Sequence, residues 1–310
     1  MPPLLRLTFL LSRRRREAGS ALMRGPQLRG LVQPFLPPRL DTRIAVLPSP
    51  RFPLLQALWA KAQPAGTVFF VTKPAIKRLL PESALLLRRN GCRLCFDHVD
   101  SSLEPTAVAP DVHIAASYAQ ARSLKALQAA GTLPSALVCT VLHNADARLY
   151  ALGPIPPRPT FRAVYFGLPE LAHIPPYLAS EIANLSANGQ DRVAQALAVL
   201  PDFSLHYACR SDEGARVIKP FTKGVTAAIL GANVLTGRDT PDALEMLGAD
   251  YPYLTGPTDH EITETFARAR HDFGGPDWTN ALQTMRAVAE LVLPQALALQ
   301  LTNLVTELES

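Results

Sequence analysis

From Arg43 onward the hydrophobic positions fall into short, nearly continuous blocks of Val, Ile, Phe and Leu. Between them lie stretches in which apolar residues recur every three or four positions. Blocks with little alternation suit strands buried on both faces of a parallel sheet, and the intervening periodicity suits helices. The first half predicts strands at 43–47, 67–71, 92–96, 112–115 and 137–142, with helices at 53–62, 74–80 and 118–130. The second half predicts strands at 161–166, 203–209 and 233–236. Its helices are expected at 175–186, 191–200, 222–230 and 259–270, with a short one opened by Asp239-Thr240-Pro241. From Trp278 to Leu308 the leucines keep helical spacing, which predicts one long amphipathic helix bent at Pro294. Strands alternating with helices make an α/β protein.

The stretch ALGPIPPRPT, residues 151–160, is too rich in proline for a helix or a central strand, so it predicts a stiff linker between two domains. The expected organisation is therefore a first domain at 41–150, the linker at 151–160, a second domain at 161–275 and a terminal helix at 276–310. Residues 1–40 remain as a basic extension, expected to be disordered.

Charge sharpens that division. The formal net charge is +5, but residues 1–40 carry eight Arg and one acidic residue, leaving the other 270 residues at −2. The folded body is near neutral, so a general nucleic-acid surface is not expected. The extension has one apolar run, Leu4 to Leu11, interrupted by Arg6, and it is too short to span a bilayer. Its charge follows the apolar run, unlike a secretory signal. An Arg-rich, acid-poor segment suits peripheral contact with an anionic membrane, and a transit peptide has the same look. The expected location is cytoplasmic, with peripheral contact at the inner membrane face.

Four cysteines, Cys92, Cys95, Cys139 and Cys209, sit in apolar surroundings, and the CxxC at 92–95 has no second pair to complete a zinc set. They read as buried free thiols. His113 and His206 lie inside strands, and His260 and His271 are too far apart for HExxH ligation. No metal site is expected. GxGxxG after a strand, GxxxxGK[ST] and GxSxG are all absent, which removes support for NAD, P-loop and α/β-hydrolase readings.

The most informative stretch is KPFTKGVTAAILGANVLTGRDTPDALEMLGADYPY, Lys219 to Tyr253. Lys219 and Lys223 flank the mouth of an Ala-rich helix opened by Thr222, where free backbone N–H groups and lysine charge together make a seat for a diphosphate. Glu245 on the next helix is placed to accept from ribose hydroxyls. The pattern K-P-x-x-K, a small-residue helix, G-x-x-V-x-T and E-x-L-G-x-D-Y-P resembles the nucleotide-sugar half of GT-B glycosyltransferases. The resemblance covers about residues 203–254. It implies two Rossmann-like domains facing across a cleft, the second holding the donor and the first presenting the acceptor, with a C-terminal helix crossing back. It further implies a backbone turn at Gly167 close to the donor phosphates. Arg210, just upstream of the lysine turn, either joins them or pairs with Asp212 or Glu213. The two glutamates spaced seven apart in many retaining members are absent: Ile218 or Lys219, then Thr226, stand there.

A transferase of that kind needs a base for the acceptor hydroxyl. Asp97, His98 and Asp100 follow a buried strand, at the sheet edge where open α/β folds bind ligands. The alternative is that an aspartate caps the next segment and His98 is a surface residue. His143, after another strand, faces the cleft or is structural. The implied activity is transfer of a sugar from a nucleotide-diphosphate donor, a substrate rather than a cofactor, to a glycan or lipid-linked acceptor. A catalytically silent GT-B-like binding or assembly protein and a nucleotide-sugar epimerase are the alternatives.

Overall fold

The computed structural model describes residues 5–13, 19–100, 103–153, 155–210 and 218–308. The chain forms two compact units. The first comprises Met1–Asn144, Val217–Pro220 and Leu293–Ser310, and the second Ala145–Arg216 and Phe221–Val292.

The first unit is built on six strands: β1 (Leu5–Ser12), β2 (Leu40–Leu47), β3 (Val68–Val71), β4 (Arg93–Asp97), β5 (Val112–Ala115) and β6 (Leu137–Thr140). All pair in parallel in the order β2-β1-β3-β4-β5-β6. The order reverses between β1 and β3, which makes the carboxyl ends of those strands the switch point of the sheet. Leu10 of β1 packs with Phe69, Val71, Leu94 and Phe96 in one buried cluster, and the Phe9 and Phe70 rings lie 5.0 Å apart.

The described part of residues 1–40 is thus not a disordered extension. Leu5–Ser12 is an interior strand, in register with β2 from Leu5↔Leu40 to Ser12↔Leu47 and with β3 from Leu7↔Val68 to Leu10↔Val71. Its apolar run is too short for a bilayer but right for a strand covered on both faces. A helical stretch follows from Gly19 to Phe35, widened to π geometry over Met23–Gln27 and carrying Pro26. Gly25 lets that turn lie close to the sheet, since a Cβ there would fall 2.5 Å from a methyl of Leu11.

The terminal segment is two helices, Pro276–Leu291 and Pro294–Glu307, with a break at residues 292–293. Proline has no N–H to give and clashes with the preceding turn, so the helix restarts rather than bends. Pro276–Leu291 belongs to the second unit, and Pro294–Glu307 returns to the first. There Leu297, Leu301 and Leu304 are buried and Gln300 accepts from the backbone of Leu142 at 2.8 Å.

The second unit repeats the plan with β7 (Ala163–Gly167), β8 (Ile182–Ser186), β9 (Leu205–Tyr207), β10 (Asn233–Gly237) and β11 (Leu254–Thr255) in the parallel order β11-β10-β9-β7-β8. Here the reversal falls between β7 and β9. The expected helix at 175–186 is instead a single 3-10 turn, Pro176–Leu178, and the strand β8. Pairing with β7 along five residues outweighs the local preference. The second unit also starts earlier than expected, at Ala145, where Asp146 caps a short helix, Ala147–Tyr150. The proline-rich stretch is fastened to this unit by Arg158, which donates to the carbonyls of Pro201, Leu230 and Gly231 at 2.7–2.8 Å.

Candidate functional site

In the second unit the chemistry gathers where β7 ends. Strand residues Ala163 and Val164 pair with β9, and the backbone then turns at Gly167 beside the switch point. Lys223, in the first turn of the Thr222–Ile229 helix, donates from Nζ to the carbonyl of Phe166 at 2.9 Å. The same ammonium lies 4.5 Å from the centroid of the Tyr165 ring. A Cβ on Gly167 would stand 2.7 Å from Lys223 Nζ and 3.0 Å from the Tyr165 hydroxyl. Glycine is needed here for close approach, not for an unusual backbone angle. Gly167, Thr222 and Lys223, read separately from the sequence, are brought together by the fold.

The helix start is held from behind by Asp242, a residue the sequence reading passed over. Asp242 is buried in the first turn of the Pro241–Leu247 helix, and its carboxylate accepts from the backbone N–H of Phe221 at 3.4 Å. Its only sequence signal was the usual acid at a helix start. Glu245, three residues on, is exposed. Arg210 is half-buried and its backbone bridges to Ala172; Asp212 and Glu213, its alternative partners, lie outside the described residues. Lys219 groups with the first unit, whereas Lys223 groups with the second. Lys219 acts electrostatically on Lys73 of the first unit.

In the first unit a second set of polar residues lines the carboxyl edge of the sheet. Asp97 ends β4 and is fully buried, as is Arg24 from the π turn. Arg24 Nη2 donates to Asp97 Oδ1 at 2.8 Å, Nε reaches both carboxylate oxygens at 3.2 Å, and Nη1 donates to the carbonyl of Leu142 at 2.8 Å. A carboxylate held this way offers no oxygen to an acceptor hydroxyl, so the expected role of base does not fit Asp97. His98 turns inward, its Nε2 2.7 Å from Nδ1 of His113. Burial, and then the neighbouring His113, push its pKa down to about 3, so it stays neutral and structural.

Asp100 differs from both. It is half-exposed, holds a left-handed backbone (φ 50°), and its carbonyl accepts from Lys73 Nζ. A non-glycine residue in that conformation is held there by its surroundings. Lys73 opens the turn after β3 and was not singled out by the sequence. Burial lowers its pKa, Asp100 acts against that, and Lys77 and Lys219 add to it. His143 follows β6 and is almost fully buried. Its Nδ1 lies 2.7 Å from the Asn144 carbonyl, so Nδ1 carries the proton and Nε2 the lone pair. Burial and then the Arg24 charge hold its pKa below the ordinary histidine value, while Asp100 and Asp97 pull it up. Asp100, Lys73 and His143 are therefore electrostatic neighbours that share one edge of the sheet.

No protein family matches the sequence, and no curated protein does. Solved structures do match over nearly the whole chain. HepE from Anabaena, solved in complex with UDP, aligns with a TM-score of 0.65 at 13% identity, covering 98% of this chain and 100% of that one. A glycosyltransferase from Rickettsia africae aligns at 0.62 with 6% identity and 99% coverage of each chain. AviGT4, a glycosyltransferase of avilamycin A biosynthesis, aligns at 0.58 with 13% identity and 98% coverage of each. At such identities the likeness is one of fold. The fold is the GT-B type, with two Rossmann-like domains.

Proposed function

We propose that this chain of GT-B fold is a glycosyltransferase that takes its sugar from a nucleotide-diphosphate donor. The observation that carries the reading is the convergence of Gly167, Lys223 and the start of the Thr222–Ile229 helix at the switch point of the second sheet. A bare backbone, an ammonium and the positive end of a helix are the elements a diphosphate needs. The same elements stabilise the charge that develops on the leaving diphosphate as the sugar departs. HepE, solved with UDP, supports uracil as the first base to test. In this scheme Arg210 adds positive charge for the diphosphate, and Glu245 takes the ribose.

The base for the acceptor hydroxyl is assigned to Asp100, with His143 beside it as the neutral partner. Among the expected trio only Asp100 keeps a carboxylate outside a buried ion pair in a half-exposed position. The acceptor is a glycan or lipid-linked hydroxyl.

Thermal unfolding of the full chain with UDP, GDP, ADP, CMP and dTDP tests the donor seat. A nucleotide at about a hundred times its Kd should stabilise by about 2.7 kcal/mol. One nucleotide should respond in the wild type and lose its effect in Lys223→Met. No response to any of the five would overturn the donor reading. Turnover of the matching nucleotide-sugar, lost in Asp100→Asn with nucleotide binding intact, tests the base.

A further inference from the structure

The helix Pro53–Lys61 in the first unit is built the opposite way round from a surface helix. Its inward side carries a polar residue, Gln56, fully buried and fully used. Gln56 donates to the carbonyls of Pro48 and Arg78 at 2.8 and 3.1 Å and accepts from the N–H of Leu80 at 2.8 Å. Ala60 packs beside it in the core. The outward side is apolar: Phe52 is 61% exposed, Leu54 82%, Leu55 54% and Leu58 63%. Spacings of three and four put Leu54, Leu55 and Leu58 on one face. These leucines leave more than half of their surface in solvent, so the fold uses little of it.

A contiguous apolar face of this kind marks a binding surface, and its surroundings indicate what binds. Exposed Arg51 and Lys61 stand at its two ends, neither ion-paired among the described residues. Residues 42–81 contain six basic residues and no acidic one, in a chain whose charge is otherwise nearly balanced. Apolar side chains bracketed by uncompensated cations are what an anionic bilayer surface takes up: leucines enter the acyl boundary while the basic ends stay at the headgroups. A protein partner matched to the leucines alone would leave those cations without a role.

We infer that the Phe52–Lys61 face docks the protein on anionic lipid membranes. The contact lies here rather than in residues 1–40, whose described part is taken up by β1 and the helical stretch behind it. This inference stands apart from the donor reading and is tested without any nucleotide.

The test is flotation of the full chain with vesicles of phosphatidylcholine alone and of phosphatidylcholine mixed with phosphatidylglycerol. The wild type should float with the mixed vesicles, less so at high salt, and hardly with phosphatidylcholine alone. Leu54→Gln with Leu58→Gln should lower partitioning by roughly tenfold or more, given the apolar area removed from the contact. Arg51→Glu with Lys61→Glu should abolish the preference for phosphatidylglycerol. Leu299→Gln, at a leucine 61% exposed on the last helix, should change nothing. Leu54→Gln alone, at the most exposed position, serves if the double variant unfolds. Failure to float, or flotation indifferent to the leucine substitutions, would overturn the proposal. So would a dimer in sedimentation equilibrium that those substitutions dissolve, since a second copy would then be the partner.

Discussion

Asp97→Asn separates a structural carboxylate from a catalytic one. In the fold the carboxylate and the Arg24 guanidinium are both fully buried, with three N–O contacts between them at 2.8–3.2 Å and a fourth guanidinium bond to Leu142. Taking both ions out of water is costly, and the pair persists because each neutralises the other. Asparagine has nearly the same shape but leaves Arg24 charged in a site with no counter-ion. Breaking one side of a buried pair costs about 3–5 kcal/mol. For a folding unit of this size, about 2–4 °C is lost per kcal/mol, so the melting temperature of the first unit should fall by about 6–20 °C. Arg24→Met should cost a similar amount. The double variant Arg24→Met with Asp97→Leu should recover most of it, since an apolar pair of similar volume removes both charges. The assay is chemical and thermal unfolding, followed by tryptophan fluorescence and circular dichroism to resolve the two units. If Asp97→Asn is as stable as the wild type while turnover disappears, the argument fails and Asp97 is the base after all.

Other outcomes follow from the same structure. Lys223→Met should weaken nucleotide binding by about 1.5–3 kcal/mol, the range for a hydrogen bond to a charged group, or roughly ten- to a hundredfold in Kd by titration calorimetry. Unchanged Kd would remove Lys223 from the seat. Gly167→Ala should keep the fold, because the nearest obstacle at 2.7 Å is the tip of a flexible lysine, yet should weaken nucleotide binding by displacing that tip; full affinity would mean the turn is not part of the seat. Burial, ahead of other causes, lowers His98 and His206 to about 3, below the ordinary 6.5. The unfolded chain therefore binds more protons between those values, and stability falls as pH falls. At pH 5 each histidine should cost about 2 kcal/mol relative to neutral pH. Unfolding curves at pH 7, 6 and 5 should show it, His206→Gln should flatten the dependence, and an unaltered slope would refute the linkage. Removing residues 1–12 should leave the first unit unfolded, since β1 lies between β2 and β3; a cooperative melt of the truncated chain would count against that.

The repeating strand and helix pattern and the parallel sheets were open to inspection in the sequence, as was the turn proposed here as the donor seat, because each rests on short-range signals. Apolar blocks without alternation mark strands buried on both faces, as at Val68–Val71 and Val112–Ala115, both fully buried. Thr258 and Glu261 close a capping box at the start of the Asp259–Asp272 helix, a signal carried within four residues. Lys223 was singled out because a lysine at a helix mouth has a local meaning. What the chain alone left undecided depends on residues far apart. Leu5–Ser12 reads as a basic leader until strands that begin at Leu40 and Val68 close on its two sides. Ile182–Ser186 reads as a helix until β7 pairs with it. Asp97 and Asp100 are the same residue type three positions apart, yet one is silenced by an arginine 73 residues away and the other is not. A carboxylate's chemistry is set by the charge and water around it. That environment is a property of the folded sheet edge rather than of the sequence beside it.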